Sequence, residues 1–159
     1  MESYQRICAF VCIYIERVVG QPTVDHMLPK SLAWDQVYEW SNYRLVSSLM
    51  NSRKGDAADV IDPFEVEEGW FELDLVSFRV VAGADADEII RERVQATIDR
   101  LRLNDYDCRT LRTEYAESYL VGEIRLGYLE RRAPFVASEL RRQGRLLSGD
   151  AANAKGRHT

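Results

Sequence analysis

The residues best suited to chemistry lie within one short stretch, residues 23–56. It contains Asp25 next to His26 and, further along, Asn51, while the one other histidine of the chain is His158. An imidazole titrates near neutral pH, which makes His26 the natural general base for activating water. Carboxylate and carboxamide oxygens such as those of Asp25 and Asn51 are the ligands that Mg²⁺ and Mn²⁺ prefer. Together these groups could hydrolyse a phosphodiester.

Basic side chains accompany these groups and could contact a nucleic acid. Arg53 and Lys54 follow Asn51 closely, and Lys30 follows His26 by four residues. Cationic side chains pair with phosphate oxygens, so we predict that Lys30 and Arg53 contact the nucleic-acid backbone. Lys54 adds positive charge beside the predicted metal ligands.

A second group of basic residues lies near the end of the chain. It comprises Arg131, Arg132, Arg141, Arg142 and Arg145. These arginines could hold phosphates or an acidic surface of a partner, and Arg131 and Arg132 are the nucleic-acid contacts that we predict among them. A solvated helical surface explains the same pattern equally well.

The order of the short motifs resembles that of an HNH (ββα-metal) endonuclease. The chain reads Asp-His-x-x-Pro-x-Ser from Asp25, Trp-x-Asn from Trp40 and Asn-x-x-Lys-Gly from Asn51. That family folds as two antiparallel strands and a helix around one divalent metal ion. The likeness is greatest to the nuclease domain of RNA-guided effectors, in which the last motif position is also asparagine.

The resemblance implies a role for each matching residue. Asp25 and Asn51 correspond to the metal ligands, and His26 to the general base that activates the attacking water. Asn42 corresponds to the middle asparagine, which ties the connecting loop to the site and helps to orient the histidine. Lys54 corresponds to a frequent basic residue near the phosphate. The implied cofactor is one Mg²⁺ or Mn²⁺ ion, and the implied substrate is DNA.

The three cysteines depart from the pattern of many HNH proteins, which carry two Cys-x-x-Cys pairs around a structural zinc ion. Here Cys8 and Cys12 are separated by three residues, and a second pair would fall near Ser47 and Met50. Two thiolates without a spare histidine make a poor zinc site, so we do not expect structural zinc. We predict that Cys8 and Cys12 are buried thiols on one face of a helix and that Cys108 is also inert.

The second half of the chain resembles a narrower branch of this family. Residues 61–64 read Ile-Asp-Pro-Phe, and residues 101–104 read Leu-Arg-Leu-Asn before an Arg-rich helix. These features are similar to those of the HNH subunits of Septu-type and retron-associated bacterial antiphage systems. In such systems a nuclease subunit works with an ATPase subunit, so the resemblance implies an ATPase partner.

Two other functions remain open. The first is an HNH-derived module that binds nucleic acid or assembles with partners without catalysis, since the absence of the zinc cysteines indicates a changed scaffold. The second is a nuclease toxin, which the short chain and its neutral first section disfavour.

Composition limits these alternatives. The chain has 159 residues, a net charge of −5 and a pI of about 5.1, which is unfavourable for a protein that binds DNA alone. Residues 58–108 contain five basic and fourteen acidic residues, whereas residues 109–159 contain ten basic and six acidic ones. We find no apolar run of about 18 residues and no signal peptide, so we expect no membrane association and a cytoplasmic location.

The sequence patterns predict an α+β fold with a mainly α-helical C-terminal extension, and the resemblance implies that its N-terminal part is a ββα-metal core. The core, residues 1–57, contains strands around residues 23–26 and 43–46. Asp25 and His26 point to opposite faces of the first strand, so they share a site only if the strand ends there. A helix with Asn51 follows, capped by Ser47 or Ser48 and stopped at Gly55.

The extension, residues 58–147, is predicted to pack on that core. It begins with a hairpin or two strands between Trp70 and Val81. A helix capped by Asp85 or Asp87 then has Ile90, Val94, Ile98 and Leu101 on one face. One longer helix runs from about Arg109 to Leu129, and a short helix begins at Pro134. Residues 148–159 are small and polar and are predicted to form a disordered tail.

Three aromatic residues fall in the loop between the two core strands, namely Trp34, Tyr38 and Trp40. They could stack on nucleic-acid bases. We favour the alternative that at least two of them pack the loop onto the core.

Overall fold

The protein is mixed α+β, as the sequence predicts. The computed structural model describes residues 5–17, 20–29, 31, 34 and 38–155, with the backbone alone for residues 153–155. Within these ranges it has six helices and two antiparallel two-stranded sheets. The elements are β1 (Pro22–His26), β2 (Tyr43–Ser47), α1 (Ser48–Lys54), β3 (Phe71–Leu73), β4 (Val80–Ala82), α2 (Glu88–Leu101), α3 (Tyr106–Leu120), α4 (Leu126–Arg132), α5 (Pro134–Arg142) and α6 (Ser148–Lys155).

The first sheet and α1 form a compact ββα unit. β1 pairs with β2 in a register that sets Asp25 opposite Arg44 and His26 opposite Tyr43. α1 begins directly after β2, where the Ser47 hydroxyl accepts a hydrogen bond from a backbone N–H one turn into the helix. It ends at Gly55, whose φ of +51° suits glycine, and it packs against both strands. Both strands, the Ser47 cap and the Gly55 stop are confirmed.

The chain before β1 folds back on itself. Ile7 and Tyr14 form an isolated antiparallel bridge, and Cys8 and Cys12 lie in the turn between them. The prediction that these cysteines lie on a helix is wrong, because Cys12 has a left-handed φ of +52° that a right-handed helix cannot contain. Cys8 is nevertheless buried, and its Sγ accepts the Ser47 N–H at 3.4 Å, next to the start of α1.

The segment after α1 is tied to β2 through Arg44. The Arg44 guanidinium is buried and forms a two-pronged ion pair with Asp62, with Nε 2.7 Å from Oδ1. The Cζ atom of this guanidinium lies 3.8 Å from the centre of the Phe64 ring. A planar guanidinium can make both contacts at once, which fixes residues 61–64 against the sheet.

The C-terminal half is helical, but one prediction about it is wrong. The expected helix from Arg109 to Leu129 is divided into α3 and α4. The break falls at Gly122, whose φ of +81° ends α3. The Asp87 cap of α2 and the start of α5 at Pro134 are confirmed. In the portion of the chain with described structure, no helix is both long enough and apolar enough to cross a membrane.

Helix α6 occupies the start of the segment that the composition predicts to be disordered. The Tyr119 hydroxyl donates to Asp150 Oδ2 at 2.9 Å and accepts the Leu147 N–H at 3.0 Å. Tyr119 is fully buried, so its hydroxyl needs hydrogen-bond partners within the protein. These two bonds hold α6, a polar helix that has no apolar face to pack. Residues 156–159, the end of the predicted tail, lie outside the described residues.

A single hydrophobic core joins the ββα unit to the helices. Leu45, Val46 and Met50 from the unit belong to the same buried cluster as Val94 of α2 and Leu140 of α5. The candidate site therefore lies on a rigid platform that the C-terminal helices support.

We predict that Gly83→Ala strongly destabilises the fold. A Cβ at Gly83 would lie 1.6 Å from the Gly69 carbonyl oxygen, so two backbone segments would have to separate. We expect a loss of roughly 2–4 kcal/mol in the free energy of unfolding, measured by urea denaturation. Gly127→Ala, inside α4 with only ordinary contacts, is the matched control and should be neutral or stabilising by up to about 1 kcal/mol. Equal effects of the two substitutions would contradict this close approach.

Candidate active site

The carboxylate of Asp25 is buried against the ammonium group of Lys54. Asp25 is 4% exposed, and the Lys54 side chain is fully buried. Lys54 Nζ lies 3.1 Å from Asp25 Oδ2 and 3.4 Å from Oδ1, and it also donates to the His26 carbonyl oxygen at 2.8 Å. One ammonium group therefore fastens the end of α1 to the end of β1.

This ion pair leaves Asp25 incompletely satisfied. Oδ2 is within ion-pair distance of Lys54, yet none of the described residues donates to it with hydrogen-bond geometry. Burial raises the pKa of Asp25, and the opposing influence of Lys54, His26 and Arg44 does not cancel that rise. A further cation at Oδ2 would therefore stabilise the ionised carboxylate.

His26 is half-buried at the last position of β1, next to Asp25. Its ring meets the Tyr43 ring edge to face with centroids 5.0 Å apart, and Tyr43 meets Trp40 in the same way at 5.5 Å. The Tyr43 ring thus packs against the imidazole, and His26 as a whole is only half-buried. Partial access is what a base that activates water requires.

Asn42 holds the chain that leaves β1. Its buried carboxamide accepts the Leu28 N–H at 2.7 Å and donates to the Leu28 carbonyl oxygen at 3.2 Å, and its own carbonyl oxygen accepts the Met27 N–H at 2.8 Å. These bonds fix the two residues that follow His26. This is the geometry expected of a residue that ties the connecting loop to the site.

Asn51 lies half-buried on α1, three residues before Lys54. Residues three apart on a helix are neighbours on its surface, so Asn51 lies close to the side of α1 from which Lys54 contacts β1. At the end of β1, Lys54 therefore contacts the Asp25 carboxylate and the His26 carbonyl oxygen. Asp25 and His26 are successive residues of the paired strand, so their side chains leave it on opposite faces, and Asn51 lies three residues before Lys54 on α1.

The donor types at this site fit a hard divalent ion. A carboxylate with an unsatisfied Oδ2 and a carboxamide suit Mg²⁺ or Mn²⁺, which retain several waters when few protein ligands are present. Among the described residues, no group of three or more His, Cys, Asp or Glu side chains could hold a metal ion. The ammonium group of Lys54 already balances the charge of Asp25, so a divalent ion would have to bind next to that ammonium group.

Arg53, a predicted nucleic-acid contact, is engaged within the protein. Its guanidinium pairs with Asp105, the N-cap of α3, and donates to the carbonyl oxygens of Leu101 at 3.1 Å and Arg102 at 3.3 Å, where α2 ends. A contact with phosphate would have to compete with these bonds. Lys30, the other predicted contact in this region, lies outside the described residues.

Arg132 also has a role inside the fold. It lies over the Tyr14 ring at 3.9 Å, its Nη1 is 3.0 Å from Glu16 Oε1, and its carbonyl oxygen accepts the Tyr14 N–H at 2.8 Å. These contacts join the N-terminal turn to α4. Arg131, its neighbour, is exposed and remains the better placed of the two for a nucleic acid.

The exposed loop aromatics contradict the expectation that they pack onto the core. Trp34 is 81% exposed, and Tyr38 and Trp40 are each 85% exposed. Trp40 rests on the edge of Tyr43 instead of entering the core. These rings are therefore available for stacking.

Two of the thiols, those of Cys12 and Cys108, have raised pKa values. Burial, with a smaller contribution from the nearby Cys8, raises the pKa of Cys12 to about 11. Burial and the neighbouring Asp105 raise the pKa of Cys108 to about 11, although Arg53 opposes this. Such groups stay protonated and are poor nucleophiles.

Comparison with known proteins adds no family assignment. The chain matches no protein-family model and no curated protein. The likeness to HNH nucleases therefore rests on the short motifs, and the activity that it implies is a proposal.

The coupling between Asp25 and Lys54 can be measured directly. Asp25→Ala leaves a buried ammonium without a counterion, so we expect a loss of about 3 kcal/mol or more in the free energy of unfolding. The double variant Asp25→Ala/Lys54→Met should recover most of that loss, because both charges are then removed. Urea denaturation of the two single variants and the double variant gives the coupling energy. Strictly additive losses would show that the two charges are not coupled.

The Arg53–Asp105 pair predicts a pH dependence. Burial pulls the pKa of Asp105 upward, but hydrogen bonds from Cys108 and Arg53 outweigh it, so the pKa lies below its usual value. The stabilisation is therefore present above the usual pKa and is lost as pH falls through the lowered one. Asp105→Asn keeps a good N-cap and should cost about 1 kcal/mol at pH 7. Urea denaturation should show this difference shrinking below about pH 4; a difference that is constant with pH would contradict the ion pair.

Proposed function

We propose that this chain is a metal-dependent HNH endonuclease that hydrolyses DNA phosphodiesters. The observation that carries the proposal is that a buried carboxylate, Asp25, and a half-buried histidine, His26, occupy the last two positions of one strand, near enough for His26 to oppose the rise that burial causes in the pKa of Asp25. The paired strand follows Asn42, and the helix that carries Asn51 packs on both strands. The proposal draws its residues from three segments that are separate in sequence.

In this proposal each side chain has a distinct task. His26 takes a proton from water, while the Tyr43 ring and the Asn42 clamp on Leu28 limit the motion of the imidazole. Asp25 and Asn51 would hold the divalent ion, which when bound stabilises negative charge on the leaving oxygen. Because its ammonium group is buried, Lys54 acts as a positioning residue for Asp25 in place of the phosphate contact that the motif implies.

The charge distribution supports action within a complex. Residues 58–108 contain five basic and fourteen acidic residues, and this excess of negative charge disfavours contact of the segment with a nucleic acid. A partner subunit would then supply the DNA affinity. This agrees with the proposal that the chain is the effector of a prokaryotic antiphage complex with an ATPase subunit.

One observation favours a second candidate, a non-catalytic HNH-derived module for nucleic-acid binding or assembly. The buried ammonium of Lys54 is already the counterion of Asp25. In a metal site the divalent ion would neutralise that carboxylate instead. A site neutralised in this way can keep its fold without a metal ion.

Plasmid cleavage separates the two candidates. We expect the purified protein, alone or with its partner subunit, to nick supercoiled plasmid in the presence of Mg²⁺ or Mn²⁺. His26→Ala should lower the rate by roughly 10²–10⁴-fold because the general base is lost. His158→Ala, in the one other histidine of the chain, is the matched control and should leave the rate unchanged.

Two outcomes would decide against the nuclease. Equal cleavage by wild type and His26→Ala would remove the imidazole from the reaction. Absence of cleavage by the complex, together with no calorimetric signal for millimolar Mn²⁺, would favour the non-catalytic module. Circular dichroism of His26→Ala must match that of wild type, since a folding defect would also abolish cleavage.

A further inference from the structure

A cavity of about 550 Å³ lies away from the residues of the candidate active site. The turn at residues 9–12, the segment at residues 61–71 and helices α2, α3 and α5 surround it. Volumes of this size are typical of small-molecule sites. Its apolar lining includes Phe10, Ile61, Phe71, Leu101, Leu103 and Phe135.

One cationic side chain on the wall of this cavity is buried and lacks a counterion. Arg112 of α3 is 3% exposed and lines the cavity. Its Nη2 donates to the Leu103 carbonyl oxygen, but its Nε has no hydrogen-bond partner within the described residues. Arg112 forms no ion pair with any described residue, and the nearby Asp105 is already paired with Arg53. Buried arginines are normally paired, so this guanidinium is set to receive an anion.

The carboxylates around the cavity do not fulfil that role. Both oxygens of Glu139 are engaged, with the Leu73 N–H 2.7 Å from Oε2 and Arg142 Nε 2.8 Å from Oε1. Glu67 and Glu68 line the cavity from an exposed segment. These negative charges disfavour a polyanion such as a nucleic acid, whereas a small ligand with one negative charge and an apolar body can reach the guanidinium.

We propose that this cavity binds a small carboxylic acid with an apolar body, whose carboxylate pairs with Arg112. The apolar body fills the space between the aromatic and aliphatic walls, and the carboxylate supplies the counterion that Arg112 does not find among the described residues. Burial lowers the pKa of Arg112, with Arg109 adding to this and Cys108 and Asp105 opposing it, so a bound carboxylate would relieve an existing electrostatic cost. The site is independent of the proposed nuclease function.

A residue that lines the cavity is hydrogen-bonded to the ββα unit. Ala9 lines the cavity, and its backbone N–H donates to the Leu45 carbonyl oxygen of β2 at 2.8 Å. Occupancy should therefore be visible at β2 as well as at the walls of the cavity.

The test is a titration of the full chain with octanoate, followed by isothermal calorimetry and by amide chemical shifts. We expect saturable binding at millimolar concentration or below, with the largest shifts at Leu103, Arg112 and residues 9–12. 1-Octanol lacks the charge and should bind at least roughly tenfold more weakly. Arg112→Gln should weaken octanoate by roughly tenfold or more and leave 1-octanol unchanged.

Two further variants keep the test decisive. Arg109→Gln removes an exposed arginine from the same helix and should not change octanoate binding. Ser138→Phe adds bulk at a lining position on α5, and it should abolish binding even if Arg112→Gln fails to fold. Non-saturable binding of octanoate, equal affinity of wild type and Ser138→Phe, or tighter binding of adenosine monophosphate than of octanoate would each overturn the proposal.

Discussion

The arrangement of the candidate site depends on one buried ion pair, that of Asp25 with Lys54. Removing two charges from water is costly, so the pair persists only because Lys54 also bonds the His26 carbonyl oxygen and the surrounding strands and helix are fixed. The same ammonium group sets the distance between α1 and the end of β1. Whether the chain is a nuclease or a non-catalytic module, this contact joins the helix that carries Asn51 to the strand that carries His26.

Local signals in the sequence predict most of the secondary structure. Ser47 and Gly55 bound α1 correctly, and Pro134 opens α5, because caps, stops and helix starts depend on the few residues next to them. The errors have a different origin. The left-handed backbone at Cys12 and the anchoring of α6 through Tyr119 and Asp150 come from contacts between segments far apart in the chain, which composition and periodicity do not report.

The candidate site likewise combines features that local sequence signals predict with features that depend on contacts between distant segments. The order of the motifs predicts a site formed by Asp25, His26, Asn42 and Asn51; the strand register sets the first two opposite Arg44 and Tyr43, and Asn42 directly precedes β2. The roles of the basic residues could not be predicted in this way, since Arg53 is engaged at the junction of α2 and α3. One signal for the burial of Lys54 was present: it lies four residues after Met50, and both side chains are buried on the same face of α1.

The central claim is that Asp25 and Asn51 hold one divalent ion beside His26 while Lys54 positions the carboxylate. Crystals soaked in Mn²⁺ and measured at the manganese absorption edge test it most directly. The claim predicts one anomalous peak about 2.1 Å from both Asp25 Oδ2 and Asn51 Oδ1, with Lys54 still in contact with Oδ1. No peak at that place, with the Lys54 ammonium group remaining the sole cation at Asp25, would contradict it.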